Sequence, residues 1–141
     1  MILVDTNIIS ELTKVAPNPA VAAYVDGLVP DTVFTAAICE AEIRYGLARM
    51  PRGRKRDERI TRMDTLFETC FQHQVLRFDS ACAALYGEIR HVREALGKPI
   101  MVEDAMIAAT ARAYGVAAIV TRNTQDFVYC GVTLIDPWTV A

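Results

Sequence analysis

Four carboxylate side chains stand at positions where an α/β protein can assemble a reaction centre. Asp5 directly follows an apolar run at residues 2–4, which predicts a strand buried on both faces. Asp126 lies just beyond a second such run, whereas Glu42 and Asp104 fall on predicted helices. Because the carboxyl ends of parallel strands share the sheet edge where such proteins bind ligands, we expect these acids to meet there.

Charge limits the chemistry that such a cluster can perform. Four carboxylates in one cleft repel one another and raise each other's pKa unless a cation is present. Hard divalent ions that prefer oxygen ligands, Mg²⁺ or Mn²⁺, meet this requirement. The sequence offers no Ser, Cys or His set for nucleophilic catalysis. The cluster therefore predicts metal-assisted hydrolysis, with water activated for in-line displacement at a phosphate.

A structural role is the alternative interpretation for the first of these acids. Asp5, Thr6 and Asn7 are all of types that cap helices well, and any of them would serve to start the helix that follows. The other three acids favour the catalytic interpretation, because helix capping at Asp5 would not explain all four acids together.

The elements that must position the acids alternate between strand and helix along the chain. Strands are predicted at residues 2–4, 32–35, 75–78, 118–121 and 132–135. Helices are predicted at residues 8–12, 18–27, 36–50, 60–70, 80–96 and 102–114. This alternation implies parallel pairing through right-handed crossovers and a three-layer α/β/α fold, in a single domain spanning residues 1–141. Trp138 is expected to cover one flank of the core.

Helical spacing separates the two acids of the third predicted helix. Glu42 shares a face with Ile38, Tyr45 and Arg49, at spacings of three and four residues. Glu40 points about 200° away from Glu42, so only one of them reaches a common site.

Three further features of the predicted helices bear on packing. Gly46, inside the third helix, suggests the close approach of another backbone. Asp104 shares a face with small residues that permit tight packing. Two apolar stripes are expected to be buried, one formed by Ile60, Met63, Phe67 and Cys70, and one formed by Cys82, Leu85, Tyr86, Ile89, Val92 and Leu96.

A basic window lies between Arg49 and Arg62, where seven basic and two acidic residues leave a local charge of +5. The whole chain has a net charge of −2, so attraction to nucleic acid must come from a local patch. We expect six of these residues to hold nucleic-acid phosphates on the approach to the acids: Arg49, Arg52, Arg54, Lys55, Arg56 and Arg59. A solvated helix face is the alternative.

Composition excludes several classes of protein. The 141 residues suffice for one domain with a real core. No apolar run reaches the ~18 residues of a membrane span, and we expect no cleaved signal peptide. The four cysteines are scattered without a CxxC pair, which excludes a zinc site by spacing. We interpret them as small core residues in a reducing cytoplasm.

Four sequence blocks, taken together, resemble a PIN-domain ribonuclease. They are residues 3–11 (LVDTNIISE), 41–46 (AEIRYG), 103–111 (EDAMIAATA) and 120–127 (VTRNTQDF). More narrowly, they are similar to the VapC toxins of bacterial toxin–antitoxin pairs, especially the FitB-like branch. The resemblance extends over essentially the whole chain.

The resemblance implies a role for each acid. Asp5, Glu42 and Asp104 would hold Mg²⁺ or Mn²⁺, in preference to the neighbouring Glu40 and Glu103. Asp126 would be the fourth acid, because the other position where relatives carry an acid is here the neutral residue Asn123.

The resemblance also assigns supporting residues and partners. Thr6 and Thr121 would orient the acids or the scissile phosphate. The expected activity is that of a toxin that cleaves RNA, and the expected partner is a small DNA-binding antitoxin. A homodimer in the cytoplasm, with no membrane association, is the expected form, and the basic window would then serve RNA, the antitoxin or solubility.

Two rival functions remain open from the sequence. A haloacid-dehalogenase-like phosphatase also begins with an acid after the first strand, but it needs a second Asp where this chain has Asn7. A catalytically inactive RNA-binding or regulatory module on the same fold is the other rival. Loss of one acid from the site would favour that module, because binding RNA needs no carboxylate cluster.

Overall fold

The computed structural model describes residues 1–139, in which strands and helices alternate from the first residues onward. The strands are β1 (Ile2–Val4), β2 (Val33–Ala36), β3 (Val75–Leu76), β4 (Ile119–Val120) and β5 (Leu134–Ile135). The α-helices are α1 (Thr6–Leu12), α2 (Pro19–Asp26), α3 (Ala37–Arg49), α4 (Arg54–Thr69), α5 (Ser80–Ala95) and α6 (Val102–Ala113). Short 3₁₀ helices occupy Pro30–Thr32 and Thr124–Phe127.

All five strands form one parallel sheet in the order β3-β2-β1-β4-β5. β1 lies at the centre, where Leu3 pairs with Phe34 on one side and with Ile119 on the other. Six α-helices of the described range flank this sheet, which confirms the predicted α/β/α architecture with a short parallel sheet of five strands. β1 and β4 therefore end side by side, so the residues that follow them are neighbours.

The core is built from the central strands and two helices packed on them. Leu3 and Val4 of β1 and Ile8 and Ile9 of α1 are buried. In α6, the alanines of the inward face are completely buried, because their small side chains let this helix pack closely. Trp138 packs against the same core, as predicted.

The element boundaries differ from the predicted ones at two informative places. α1 begins at Thr6, two residues early, because the extended Asp5 caps it by accepting a hydrogen bond from the Thr6 backbone amide (2.7 Å). β3 stops at Leu76 because its partner β2 ends at Ala36 and turns directly into α3, so nothing remains to pair with residues 77–78. Both shifts come from neighbouring elements.

Two predicted apolar stripes are wrong at their ends. On α5, Val92 and Leu96 are 39% and 52% exposed, and Arg93 is buried in their place. The inward face of α5 meets backbone carbonyls near its end, so a guanidinium suits it better than an aliphatic chain. On α4, Cys70 is exposed because it is the C-cap residue; the other cysteines are buried free thiols, as predicted.

The expectation of a close backbone contact at Gly46 is also wrong. A Cβ placed there would meet no atom within 4 Å, so the residue faces open space. It lies on the wall of a groove between α1, α3 and α4. No helix of residues 1–139 has the length and apolar character needed to span a membrane.

Candidate active site

Asp5 is the buried centre of the site at the carboxyl edge of the sheet. It is only 5% exposed, yet both carboxylate oxygens are hydrogen-bonded. Oδ1 accepts from the Thr6 amide at 2.7 Å, and Oδ2 accepts from the Thr121 hydroxyl at 2.8 Å and from Asn7 Nδ2 at 3.3 Å. Asp5 thus caps α1 and also faces the site, so the capping role and the proposed catalytic role share one residue.

Glu42 reaches the same place from α3, whose buried face is formed by Cys39, Ile43 and Leu47. The half-buried Glu42 carboxylate accepts a hydrogen bond from the hydroxyl of Thr6 at 2.8 Å. Thr6 therefore contacts both acids, Asp5 through its backbone amide and Glu42 through its side chain.

Asp104 enters from the first turn of α6, where the partial positive charge of a helix N-terminus favours an acid. It joins Asp5 and Glu42 on the wall of an open cavity of about 400 Å³. The remaining lining residues are Thr6, Asn7, Ser10, Glu11, Lys14, Arg122, Asn123 and Trp138. Three of the four predicted acids therefore line one cavity.

Burial and mutual repulsion raise the pKa of these acids. Burial is the main cause for Asp5, opposed by its hydrogen bond from Thr121, and the charge of Asp126 adds to it. Burial also raises the pKa of Glu42. For Asp104, burial and then the charges of Asp126, Asp5 and Glu42 raise the pKa to about 7. The cluster therefore holds excess negative charge, which a bound cation would relieve.

Asp126 and Asn123 approach the site differently. Asp126 is exposed in the 3₁₀ helix and does not line the cavity, although its charge acts on both Asp5 and Asp104. Asn123 lines the cavity, and its backbone amide donates to Thr121 Oγ1 at 3.1 Å. The structure thus brings both residues near the three acids, with only Asn123 on the cavity wall.

Comparison with known proteins identifies the family. The model of the PIN domain matches residues 2–129. The chain belongs to the PIN domain family. Toxin FitB of Neisseria gonorrhoeae is 37% identical over 98% of this chain and 99% of its own, and VapC ribonuclease Y4jK of Sinorhizobium fredii is 38% identical over the full length of both.

Solved structures agree with this membership. A FitAB complex bound to an IR36 DNA fragment contains a chain with a TM-score of 0.91 and 37% identity, covering 100% of this chain and 98% of that one. A chain of FitAcB from Neisseria gonorrhoeae has a TM-score of 0.87 and 34% identity, covering 99% and 100%. The sequence resemblance to a PIN domain is thereby confirmed.

PIN-domain membership implies dependence on a divalent metal, and the donor set in the cavity fits one. Carboxylate and hydroxyl oxygens are ligands for hard cations. Within residues 1–139, no group of three or more Asp, Glu, His or Cys side chains is arranged to enclose an ion. The open cavity suits instead a hydrated ion that touches one or two carboxylates and keeps several waters, as Mg²⁺ commonly does.

Sequence reasoning missed Asn7 as a structural member of this PIN-domain site. Its Nδ2 donates to Asp5 and to Thr121 Oγ1 (3.1 Å), and its Oδ1 accepts from the Arg122 amide at 3.1 Å. Asn7 therefore ties the end of β1 to the end of β4. Its position two residues after Asp5, on the first turn of α1, was the available signal.

Arg93 is a second residue that the sequence did not reveal. This buried guanidinium on α5 donates to the carbonyls of Lys98 (2.6 Å), Asp126 (2.8 Å) and Val128 (3.0 Å). It therefore fixes the backbone that carries Asp126. Arg93 lies four residues after Ile89, on the same face of α5 as the apolar stripe, but nothing in the sequence placed its backbone partners nearby.

The basic window contains two kinds of side chain, those that donate to backbone carbonyls and those that are exposed. Arg56 donates to the Leu47 carbonyl at 2.9 Å, and Arg59 donates to the Ser10 carbonyl at 3.4 Å. Arg62 likewise donates to the Thr13 carbonyl at 2.6 Å. These arginines join α4 to the ends of α1 and α3. The other predicted RNA-binding residues, Arg49, Arg52, Arg54 and Lys55, are exposed, although Arg54 also pairs with Glu58 at 2.9 Å.

Removing the charge of Asp104 tests the cost of burying this carboxylate beside the other acids. Its raised pKa means that the folded, metal-free protein binds a proton more tightly than the unfolded chain. The free energy of unfolding contributed by this group therefore falls as pH rises from about 4 to about 7. We expect Asp104→Asn to unfold at a higher temperature than the wild type near pH 8 in EDTA, with a flatter pH dependence. Asp31→Asn, at an exposed acid outside the cavity, is the control. A lower unfolding temperature for Asp104→Asn near pH 8 would contradict this cost.

Removing the guanidinium of Arg93 tests how the Asp126 segment is held. Arg93→Met leaves three carbonyls without this donor, and we expect a loss of about 3 kcal/mol in the free energy of unfolding, measured with urea. Arg90→Met on the same helix removes a partly exposed arginine that pairs with Glu94, and it should cost less than about 1 kcal/mol. Equal losses in the two variants would show that Arg93 has no special role.

Proposed function

We propose that this PIN domain is a divalent-metal-dependent endoribonuclease that acts as the toxin of a VapBC-type toxin–antitoxin pair. The observation that carries the proposal is the convergence of Asp5, Glu42 and Asp104 on one cavity at the carboxyl edge of the sheet. The full-length similarity to Toxin FitB and to VapC ribonuclease Y4jK supports the same function.

The acids and the residues that orient them each have a defined task in this proposal. Asp5, Glu42 and Asp104 would hold the hydrated ion, one or two of them by direct contact and the rest through its bound waters, and Asp126 adds negative charge from the side. Thr121 fixes the orientation of the Asp5 carboxylate by donating to Oδ2 at 2.8 Å.

Thr6 and Asn123 support this arrangement. Thr6 fixes Glu42 by donating to Oε1 at 2.8 Å. Asn123 supplies a neutral wall and supports Thr121 through its backbone amide (3.1 Å). The four hydrogen bonds on Asp5 and Glu42 leave the acids little freedom to turn away from the ion.

Mg²⁺ or Mn²⁺ is the ion we propose for this site. When bound, it would supply Lewis-acid activation of water and neutralise charge at the phosphate. Thr6, Asn7 and Thr121 keep the carboxylates oriented through their hydrogen bonds. With the cation bound, the carboxylates would stay ionised, because a cation lowers the same pKa values that burial and mutual repulsion raise. An all-oxygen donor set favours these hard ions over zinc.

The two rival functions have less support. An inactive RNA-binding module has no need for buried acids of raised pKa, and no predicted acid is missing from this region. A haloacid-dehalogenase-like phosphatase needs an acid at position 7, where Asn7 instead bonds Asp5, Thr121 and the Arg122 amide.

The RNA path is proposed to follow a groove that leaves the acid cavity. This groove of about 280 Å³ shares Thr6, Ser10 and Glu42 with the cavity and extends along Gly46 to Arg59. It therefore leads from the acids to the basic window. The exposed members of that window would hold phosphates, while Arg56 and Arg59 also keep α4 in place.

The partner is proposed to be a small DNA-binding antitoxin, and the toxin is proposed to form a homodimer in the cytoplasm. Support comes from the solved relatives, which include the FitAB complex bound to DNA and VapBC2 of Rickettsia felis bound to a fragment of its promoter (25% identity, TM-score 0.79). The groove offers such a partner an apolar lining, with Ile43, Leu47 and Met63 on its walls. Occupying it would cover the path to the acids.

Replacement of the central acids tests the nuclease activity. We expect Asp5→Asn and Glu42→Gln each to lower kcat for cleavage of single-stranded RNA at least about a hundredfold, because each removes a charged ligand. Glu40→Gln, on the same helix, is the matched control. Glu40 pairs with Arg44 at 3.0 Å and does not line the cavity, so its replacement should leave kcat within about twofold.

Metal removal is the companion measurement for the same prediction. EDTA should abolish cleavage, and Mg²⁺ or Mn²⁺ should restore it. Unchanged cleavage by purified, folded Asp5→Asn would exclude the proposed site, and an equal loss in Glu40→Gln would exclude the assignment of the helix face.

Charge reversal in the basic window tests the RNA path. The combined change Arg52→Glu, Arg54→Glu and Lys55→Glu targets exposed side chains and spares Arg56 and Arg59. Each lost phosphate contact means that fewer counterions are released when RNA binds. The slope of log affinity for RNA against log salt should therefore flatten by about two.

The matched control reverses two exposed basic residues outside the window, Arg77→Glu and Lys98→Glu. RNA affinity measured across a salt series should change less in this control than in the triple variant, while Mn²⁺ affinity stays the same in both. An unaltered salt slope in the triple variant would show that RNA takes another path.

A further inference from the structure

An arginine stacked on an aromatic ring forms one wall of the acid cavity. The guanidinium carbon of Arg122 lies 4.9 Å from the centre of the Trp138 ring, and both side chains line the cavity with Asp5, Glu42 and Asp104. Arg122 is exposed, whereas Trp138 is half-buried against the core. The ring thus supports a planar cation at the cavity mouth.

Hydrogen bonds through Asn7 link the backbone of Arg122 to Asp5, the central acid. The Arg122 amide donates to Asn7 Oδ1 at 3.1 Å, and the same Asn7 side chain donates to Asp5. The preceding residue, Thr121, is buried and also donates to Asp5. Two hydrogen-bonded links therefore hold the start of the Arg122 side chain at a set place relative to the acids.

Arg122 also differs in charge balance from the other basic residue of the cavity. Lys14 is paired with Glu11 at 3.1 Å. The Arg122 guanidinium has no ion-pair partner among residues 1–139 at salt-bridge distance, and its donors are not engaged by side-chain or backbone acceptors of that range. It is therefore a preorganised cation with free donors beside a cluster of acids.

We propose that Arg122 binds a phosphate of the RNA strand next to the scissile one, and that Trp138 is a positioning residue that holds the guanidinium flat against the cavity wall. The inference rests on the proposed ribonuclease function and adds to it a phosphate subsite. A polyanion that approaches this acidic cavity meets repulsion from the carboxylates. Arg122 offsets this repulsion where the strand must pass.

The chemistry of guanidinium favours this ligand. Its planar fork donates two parallel hydrogen bonds to phosphate oxygens, and stacking on the indole leaves the edges of the fork available. A phosphate contact reads no base, so the subsite fixes the register of the strand without selecting a sequence. A carboxylate side chain of a protein partner offers similar oxygens, and the experiment separates the two ligands.

Trp138 is the only tryptophan in the chain, so its fluorescence reports directly on this wall. The first measurement titrates a short oligouridylate into Asp5→Asn protein, which does not cut the probe. We expect the emission to change on binding, and the affinity to fall roughly ten- to a hundredfold when Arg122→Gln is added. Arg90→Gln is the matched control, because Arg90 also lies over an aromatic ring, Tyr86 (5.8 Å), outside the cavity.

The second measurement separates binding from chemistry in the otherwise unaltered protein. Arg122→Gln should raise KM for single-stranded RNA about tenfold and leave kcat within about threefold, since the contact lies beside the reacting bond. Trp138→Leu should also raise KM, because the Arg122 guanidinium loses the ring that holds it in place. Trp138→Phe keeps a ring beneath the guanidinium and should restore KM most of the way.

The outcomes distinguish this inference from the proposed function. If the wild type cleaves RNA while Arg122→Gln keeps both its KM and its affinity for the probe, the subsite is wrong and the nuclease stands. If the wild type cleaves no RNA with Mg²⁺ or Mn²⁺, the proposed function itself fails. If Arg122→Gln weakens binding of an antitoxin protein but leaves the affinity for the oligouridylate unchanged, Arg122 belongs to a protein interface and the phosphate subsite is wrong.

Discussion

The structure depends on keeping one negative charge, that of Asp5, buried at the end of the central strand. A buried carboxylate is costly unless its oxygens are hydrogen-bonded, and here the Thr6 amide, Asn7 and Thr121 supply the donors. These donors come from the start of α1 and the end of β4. Satisfying the charge therefore also fixes how two strands and a helix meet.

This arrangement explains how the protein can hold a reactive, charged site inside a small domain. The sheet brings the ends of β1 and β4 together, while α3 and α6 deliver Glu42 and Asp104 to the same edge. Burial and then repulsion among these acids raise the pKa of Asp104 to about 7, and both are costs of assembling the acids before a cation binds. The site therefore combines rigid orientation with an electrostatic demand for a divalent ion.

Positive charge around the site is organised into two kinds of residue. Arg56, Arg59 and Arg93 donate to backbone carbonyls and so act in the fold, joining helices or fixing the Asp126 segment. Arg122 and, in the basic window, Arg49, Arg52 and Lys55 are exposed and keep their charge available at the surface. A net charge of −2 therefore conceals a local separation between structural and accessible cations.

The sequence by itself determined the order of strands and helices and the parallel α/β class, because buried strands, helix caps and helical spacing leave direct local patterns. It also pointed to Asp5, Glu42 and Asp104 as the acids of the site, but the choice of Asp104 over Glu103 came from the family resemblance and not from spacing. Only the tertiary structure decided which polar side chains meet across the sheet edge. Asn7, Arg93 and Arg122 each have at least one partner between 16 and 115 residues away, and no local pattern encodes such contacts. The burial of Arg93 and the exposure of Val92 and Leu96 could not be predicted, for the same reason. The carbonyls of residues 126 and 128 that face Arg93 come near it only once the chain has folded.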